Sequence, residues 1–500
     1  VFTSPFLLAI DQGTTSTRAV VYDTAGRARG SAARELTQHF PQPGWVEHDA
    51  EEIAASVAEV VPKALAAAGT NSSHVAAIGV TNQRETAVLW DRATGKPAGR
   101  AIVWQDRRTT DFCRSHHADQ PWLHERTGLV LDPYFTATKF RWMLENDPHL
   151  RDAARRGDLA GGTIDSFLIH RLTGGWAHVT DATNASRTLL WNIHTGQWDE
   201  ELCRYFDVPR EILPEVKPSA ADFGPTRGLD YLPDGIPVAG VAGDQQAALF
   251  GQCAFAAGEA KCTYGTGAFF LLHTGDRPVA SRSQLLTTVA ASAGGPRQYA
   301  LEGSVFVAGA AVQWLRDGLK LFAAAEQVEG LAQGSDPEQP VLFVPGFVGL
   351  GAPHWVPEAR GVLFGLTRST GPGELARATL EGVAFQVADL IDAARQDADT
   401  PLPALRVDGG MARNDWFLQC QADVLGLPVI RAGQSESTAL GAAFLAGLQV
   451  GVWKDTDELR KLTAEATTFA PRLDEVGRSR RVARWRKAVQ AVIGFYSGDG

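Results

Sequence analysis

Short apolar runs separated by polar, glycine-bearing turns open the chain. Leu7–Ile10 is apolar, Asp11–Ser16 is polar, and Arg18–Tyr22 turns apolar again, the pattern of a β-hairpin. A helix is predicted from Asp49 through Ala66, with Asp49 and Glu52 spaced as a capping box and Pro62 placed to kink it. Val75–Thr81 reads as a further strand ending in the polar run Asn82–Thr86. Strands alternating with helices predict an α/β architecture.

The outline recurs downstream. Lys261–Tyr264 is followed by Gly265, Thr266 and Gly267, then by the apolar run Ala268–Leu272, a second strand–turn–strand unit. Two such hairpins suggest a duplicated domain. The proline- and glycine-containing stretch Leu232–Gly243 precedes the second, which puts the boundary near residue 250 and the domains at 1–250 and 251–500. Ser304–Leu319 and Gly373–Ala394 carry apolar residues at helical spacing. Leu405–Val407 reads as a strand running into Asp408, Gly409 and Gly410, with a helix from Asn414 to Leu425 behind it. Thr438–Leu448 is a small-residue helix suited to close packing.

Composition narrows the class. The 500 residues exceed one ordinary core, and 44% hydrophobic with 21% charged residues is the balance of a globular protein. A formal charge of -10 argues against a broad nucleic-acid footprint, which needs a basic face. The one basic cluster, Arg478 to Lys487, is interleaved with Val482, Trp485, Val489 and Val492 and reads as a solvated helix face. Five scattered cysteines without a C-x-x-C pair predict reduced thiols and a cytoplasmic protein. Val1–Ile10 lacks a basic n-region and reads as a first strand, not a signal peptide. No apolar stretch is long enough to insert in a membrane.

Three turns carry candidate chemistry. In DQGTTS, Gly13 permits close backbone approach to a phosphate, while Thr14, Thr15 and Ser16 supply hydroxyls. Asp11 is placed to hold Mg²⁺ through water, and Arg18 to neutralise phosphate charge. The same string also suits an Asp/Thr-rich hairpin turn, and alone it decides nothing. YGTG, Tyr264 to Gly267, offers similar chemistry, or simply a glycine turn. DGG, Asp408 to Gly410, suits a purine or ribose lying on backbone, or a tight strand-to-helix connection. Neither a P-loop nor a protein-kinase motif set is present.

Taken together the motifs are more specific. LLAIDQGTTSTRAVVYD, GVTNQRET, AIVWQDRRT, GLVLDPYFTATKFRWML, VAGDQQAALFGQ, TYGTGAFFL, LEGSVFVAGAAVQWLRD, RVDGGMARNDWFLQCQADVLG and STALGAAFLAGL occur in order from Leu7 to about Trp453. This set resembles the FGGY carbohydrate kinases of the actin-like ATPase superfamily, and the glycerol kinases within them. The resemblance implies an α/β protein of two actin-like (ribonuclease H-like) domains with a cleft between them. It implies ATP-dependent phosphorylation of glycerol with Mg²⁺, in a homodimer or homotetramer that binds neither nucleic acid nor membrane.

Matched position by position, Thr14, Thr15, Ser16, Arg18 and Thr266 fall on phosphate contacts, and Gly309, Gln313, Gly410 and Asn414 line the rest of the nucleotide. Arg84, Glu85, Tyr134, Asp244 and Gln245 fall on the glycerol set, with Trp104 and Phe269 as its apolar walls. Asp11 matches the magnesium-associated acid and Asp244 the catalytic base. An adjacent Arg84–Glu85 pair would fix a diol. Asp244 would sit beside the hydroxyl that attacks the γ-phosphorus. Phosphate turns and adenosine site come from different halves, so domain closure is expected to accompany binding.

Some relatives carry a basic loop for sugar-bisphosphate inhibition, or a regulatory histidine, ahead of GDQQ. Gly228–Val238 has no lysine or arginine and Gly228–Gly243 no histidine, so neither switch is expected. Nor does Pro471–Arg478 match a docking surface for a phosphotransferase-system protein. The rival readings are a pentulose or polyol kinase of the same family and an actin-like chaperone or filament ATPase. NQRET and PYFTATKFRW weigh against the first, and a polyol pocket of Arg84, Glu85, Tyr134 and Asp244, for which such an ATPase has no use, weighs against the second.

Overall fold

The first hairpin forms as its pattern predicts, and it seeds a sheet. In the computed structural model, which describes residues 5–433, 436–463 and 465–497, β1 (Phe6–Gln12) pairs antiparallel with β2 (Ser16–Tyr22), placing Asp11 opposite Arg18. The first four residues of Val1–Ile10 lie outside that set. β3 (Ala28–Glu35) extends the sheet antiparallel, and β4 (Val75–Asn82) and β5 (Val238–Gly243) join in parallel on the other side. The order is β5-β4-β1-β2-β3.

The second hairpin seeds another sheet. It contains β6 (Ala260–Tyr264), β7 (Ala268–Gly275), β8 (Leu286–Ala290), β9 (Gln298–Val305), β10 (Leu405–Asp408), β11 (Val429–Ala432) and β12 (Ala466–Phe469), ordered β8-β9-β7-β6-β10-β11-β12. Without its edge strands β8 and β12, this sheet repeats the first: two parallel strands, the hairpin, then one more antiparallel strand.

The principal helices are α1 (Ala50–Ala67), α2 (Thr136–Asn146), α3 (Asp244–Gly251), α4 (Pro372–Ala398), α5 (Asp415–Leu425), α6 (Ser437–Gln449) and α7 (Glu475–Ser497). α1 buries Ile53, Val57, Val60 and Ala64 against Leu8, Ile10 and Val21. The opposite face of the same sheet is covered from the far end of the chain: Ala439, Leu440, Ala443 and Phe444 of α6 pack with Leu7, Ala9, Val20 and Ala239. A Cβ on Gly441 would lie 1.9 Å from the carbonyl oxygen of Ala247, so only glycine lets α6 lie on α3. Any larger residue there must displace α3, which begins at Asp244. Each large apolar side chain buried this way contributes about 1.5–3 kcal/mol relative to exposure.

Several expectations need correction. Ser304–Leu319 is not one helix: β9 runs through Val305, a short helix covers Gly309–Gln313, and a π-helical turn follows at Trp314–Gly318. The apolar spacing there fits a buried strand end as well as a helix face, and periodicity alone cannot separate the two. At α1 the capping box is half made. Asp49 accepts from the N–H groups of Glu51 and Glu52, but Glu52 turns to the N–H and hydroxyl of Thr37. The helix continues past Pro62 to Ala67. On α7, Trp485, Val489 and Val492 are buried while Arg478, Arg481 and Arg486 pair with Glu475, Glu381 and Asp392, a solvated basic face. All five cysteines are free and buried. Among the described residues no helix is long and apolar enough to cross a membrane.

Candidate active site

Arg84 and Glu85 leave the end of β4 in the run Asn82–Thr86, where the strand stops and the chain bends under the sheet. Glu85 has a φ of 61°, a left-handed conformation that costs a non-glycine residue energy and persists only where its surroundings hold it. Both side chains are almost fully buried. The two are only loosely in contact, with Arg84 Nε 3.9 Å from Glu85 Oε1. Each member is held mainly by another residue, Arg84 by Glu302 and Glu85 by Arg187.

Arg84 donates through Nη1 and Nη2 to the two oxygens of Glu302, the second at 2.9 Å, and lies with Nε 3.1 Å from Asp244 Oδ1. Glu85 Oε1 accepts from Arg187 Nε at 2.6 Å, and Arg187 Nη2 donates to Glu302 Oε1 at 2.9 Å. Two guanidinium groups and two carboxylates thus close a buried ring with Asp244 at its rim. Asp244, first residue of α3, keeps its side chain 31% exposed. Burial alone would push Glu302 up, but Arg187 and Arg84 outweigh it and hold the carboxyl down at about 2. Glu85 moves the other way, raised chiefly by burial against the pull of Arg187 and Arg84.

The walls assemble around that ring. Tyr134 and Trp104 meet edge to face at 5.6 Å, and Tyr134 also faces the Arg187 guanidinium. Lys139 of α2 donates to the carbonyls of both Glu85 and Tyr134, and burial lowers its ammonium to about 7. Trp104 Nε1 donates to the hydroxyl of Thr14 at 2.9 Å, joining a predicted pocket wall to the predicted phosphate turn. Gln245 accepts from Lys261, which also donates to the carbonyl of Phe269. Phe269 is half-buried on β7.

The first turn is closed by Gly13 N–H donating to the Ser16 carbonyl at 2.9 Å. Thr15 is exposed at its tip, and Arg18 pairs with Glu436 from the segment leading into α6. The second turn closes likewise, Gly265 N–H to the Gly267 carbonyl at 2.8 Å, with Thr266 exposed. Its carbonyls are capped from behind: Gly309 N–H donates to Gly265, and Ala308 and Ala310 donate to Thr266. Tyr264 points the other way and gives its hydroxyl to buried Gln421. Gly409 has a φ of +90°, and a Cβ there would sit 2.4 Å from the Tyr264 carbonyl, so DGG lies directly against YGTG. Gly410 is exposed, while Asn414 spends its side-chain oxygen capping α5 at Phe417 N–H. Gln313 is exposed.

A metal has a plausible seat in chemical terms. Burial, then the nearby Asp244 carboxylate, raises Asp11 to about 7, with Arg18 opposing and Glu436 adding. The chemistry of two mutually repelling carboxylates suits a divalent cation. A sparse carboxylate set completed by water and phosphate suits magnesium. A surface hollow of about 740 Å³ beside Arg126, His194 and Arg204 contains none of these groups.

Most of the predicted residues fall into two sets. Asp11, Thr14, Trp104, Tyr134, Arg84, Glu85, Asp244 and Gln245 are linked by direct contacts or shared electrostatics. Thr266, Gly309 and Gly410 gather at the second turn. Arg187, Glu302, Lys139 and Lys261 were not singled out from the sequence. Glu302 sits in the string LEGSVFVAGAAVQWLRD and Lys139 in GLVLDPYFTATKFRWML, the two signals available.

Residues 6–251 match the family model for the N-terminal domain of the FGGY family of carbohydrate kinases, and residues 260–450 match its C-terminal domain. The chain is 54% identical to a glycerol kinase of Deinococcus radiodurans, covering 97% of each chain. It is 53% identical to one of Koribacter versatilis over 98% of this chain and 99% of the relative. Among solved structures it superposes on Plasmodium falciparum glycerol kinase with ADP at a TM-score of 0.93, with 37% identity and 98% of each chain covered.

Proposed function

Since the chain belongs to the FGGY family of carbohydrate kinases, we propose that it transfers the γ-phosphoryl group of ATP to a terminal hydroxyl of glycerol, yielding ADP and sn-glycerol 3-phosphate. The observation that carries the reading is the meeting of Asp244, Arg84 and Glu85 in one network beside the turn that bears Asp11.

A triol offers donors and acceptors on every carbon, so its site must supply both while keeping water from the reacting end. Arg84 donates, and Glu85 and Asp244 accept. Trp104 and Phe269 cover the C–H edges. Asp244 takes the proton of the attacking hydroxyl as the bond to phosphorus forms. Positioning and charge neutralisation supply most of the rate in phosphoryl transfer, so the fixed planes of the ring matter as much as the base. Asp11 would hold Mg²⁺ through water, the cation supplying charge neutralisation on the phosphates. Thr14, Thr15, Ser16, Arg18 and Thr266 bind the phosphate chain, and Gly309, Gln313, Gly410 and Asn414 the nucleoside. Arg18 must exchange Glu436 for phosphate when ATP enters. The reading includes a cytoplasmic homodimer or homotetramer, which sedimentation velocity checks.

The test is a coupled ADP-release assay across glycerol, dihydroxyacetone, erythritol and xylulose. Glycerol is expected to give the highest kcat/KM. Faster turnover of xylulose, or ADP release indifferent to glycerol, would overturn the assignment.

A further inference from the structure

The buried ring contains two residues outside the proposed glycerol set, and they come from opposite halves of the chain. Arg187 follows a short helix at Ala182–Ala185 in the first half, whereas Glu302 lies on β9 of the second sheet. Both are essentially inaccessible to solvent. Between them they touch three residues of the proposed glycerol set: Glu302 grips the Arg84 fork through both oxygens, and Arg187 holds Glu85 and faces the Tyr134 ring. Arg84 and Glu302 are 218 residues apart, so this contact joins the two sheets.

The charges make the ring a unit. Arg84 and Arg187 balance Glu85 and Glu302, and removing one carboxylate strands a guanidinium in a site closed to water. The strained backbone at Glu85 needs an external hold, which Arg187 gives to the side chain and Lys139 to the carbonyl. A guanidinium gripped in two places cannot rotate about its plane, so the donors it presents to a hydroxyl are fixed. The same grip ties their orientation to the position of the second sheet. Gln246, which accepts from Arg84 and donates to Thr288 on β8, runs alongside as a second strut between the halves.

We propose that Glu302 and Arg187 are positioning residues for polyol recognition, which hold Arg84 and Glu85 in plane and make polyol affinity depend on how the second domain is seated. This inference rests on the glycerol-kinase reading. The experiment is steady-state kinetics of Glu302→Gln, Glu302→Asp, Arg187→Lys and the double variant Arg187→Lys/Glu302→Gln, with glycerol and ATP varied separately and the parent run alongside.

Loss of a charge-assisted double contact predicts a rise of roughly 10–100-fold in KM for glycerol for Glu302→Gln, with KM for ATP within about twofold. Glu302→Asp, which keeps the charge, and Arg187→Lys should fall between Gln and parent. The double variant should be no worse than about the poorer single variant, because the two act through one ring. Equal rises in both KM values, an unchanged KM for glycerol, or fully additive losses would overturn the proposal. If Glu302→Gln does not fold, the same criteria apply to Glu302→Asp and Arg187→Lys, both of which keep the buried charge. Failure of the parent to phosphorylate glycerol would instead defeat the functional reading. The positioning role is then tested with whichever polyol the parent accepts, by the same split between polyol and ATP.

Discussion

The two hairpins occupy matching places in matching sheets, yet they carry different chemistry. In the first, Asp11 stands on the hairpin strand with Thr81 as its register partner on the parallel neighbour. In the second the types are exchanged: Thr263 is on the hairpin strand and Asp408 on the neighbour. The first carboxylate is partly buried beside the turn and is raised by the nearby Asp244 carboxylate. The second is buried, with one oxygen that has no hydrogen-bond partner. The first turn also carries hydroxyls and Arg18, whereas the second offers glycine backbone around Thr266. A duplicated actin-like scaffold has thus kept its strand order while one copy specialises in charge and the other in close backbone approach.

If the first half holds the reacting charges, the largest effect of any single substitution should lie there, at Asp244. Asp244→Asn keeps the side-chain shape and removes the base, and is expected to lower kcat by about 10²–10⁴-fold. Nucleotide binding, read by equilibrium titration with ADP, should barely change. Near-parental turnover would remove Asp244 from the chemistry and, with it, the asymmetry between the halves.

Asp11 comes next. Given the proposed role of Asp11 in holding a cation through water, its replacement by Asn should weaken apparent magnesium affinity about 10–100-fold, read as the Mg²⁺ concentration for half-maximal rate. The matching test in the second half is Thr266→Ala. A neutral hydroxyl contact is worth about 0.5–1.5 kcal/mol, so KM for ATP should rise only about two- to tenfold, with the magnesium dependence unmoved. A Thr266→Ala variant as impaired as Asp11→Asn would show that the second turn does more than present backbone.

Local features of this molecule could be read from the sequence, and long-range ones could not. A Gly/Thr turn between two apolar runs specifies a hairpin by itself, which is why both hairpins stand where the pattern puts them. Asn414 to Leu425 carries its own cap, and the helix begins there. Ser304–Leu319 failed because a buried strand end and a helix share its spacing. Nothing local marks Arg187, which lies 102 residues from Glu85. Glu302 lies further still from Arg84. Their pairing is a product of sheet against sheet, a relation that hydrophobic periodicity does not encode. The destination of α6 was equally hidden: its small residues announced close packing, but not that the partner would be the first sheet.

The smallest effect expected is on stability, and it comes from Asp11. Folding raises Asp11 from 3.8 to about 7, first through burial and then through Asp244. Between about pH 4 and pH 7 the folded protein therefore keeps a proton that the unfolded chain has released. Asp11's contribution to stability consequently falls as pH rises through that window, and its cost is complete above pH 7. Asn carries no such charge. Asp11→Asn should then melt higher than the parent at about pH 8 without magnesium, by a few degrees at roughly 2–4 °C per kcal/mol, and the gap should narrow at about pH 5. Adding Mg²⁺ with ATP should reverse the order, since the cation stabilises the ionised carboxylate and has less to bind in the variant. A gap of equal size at both pH values would mean that Asp11 is not the strained member of the first turn.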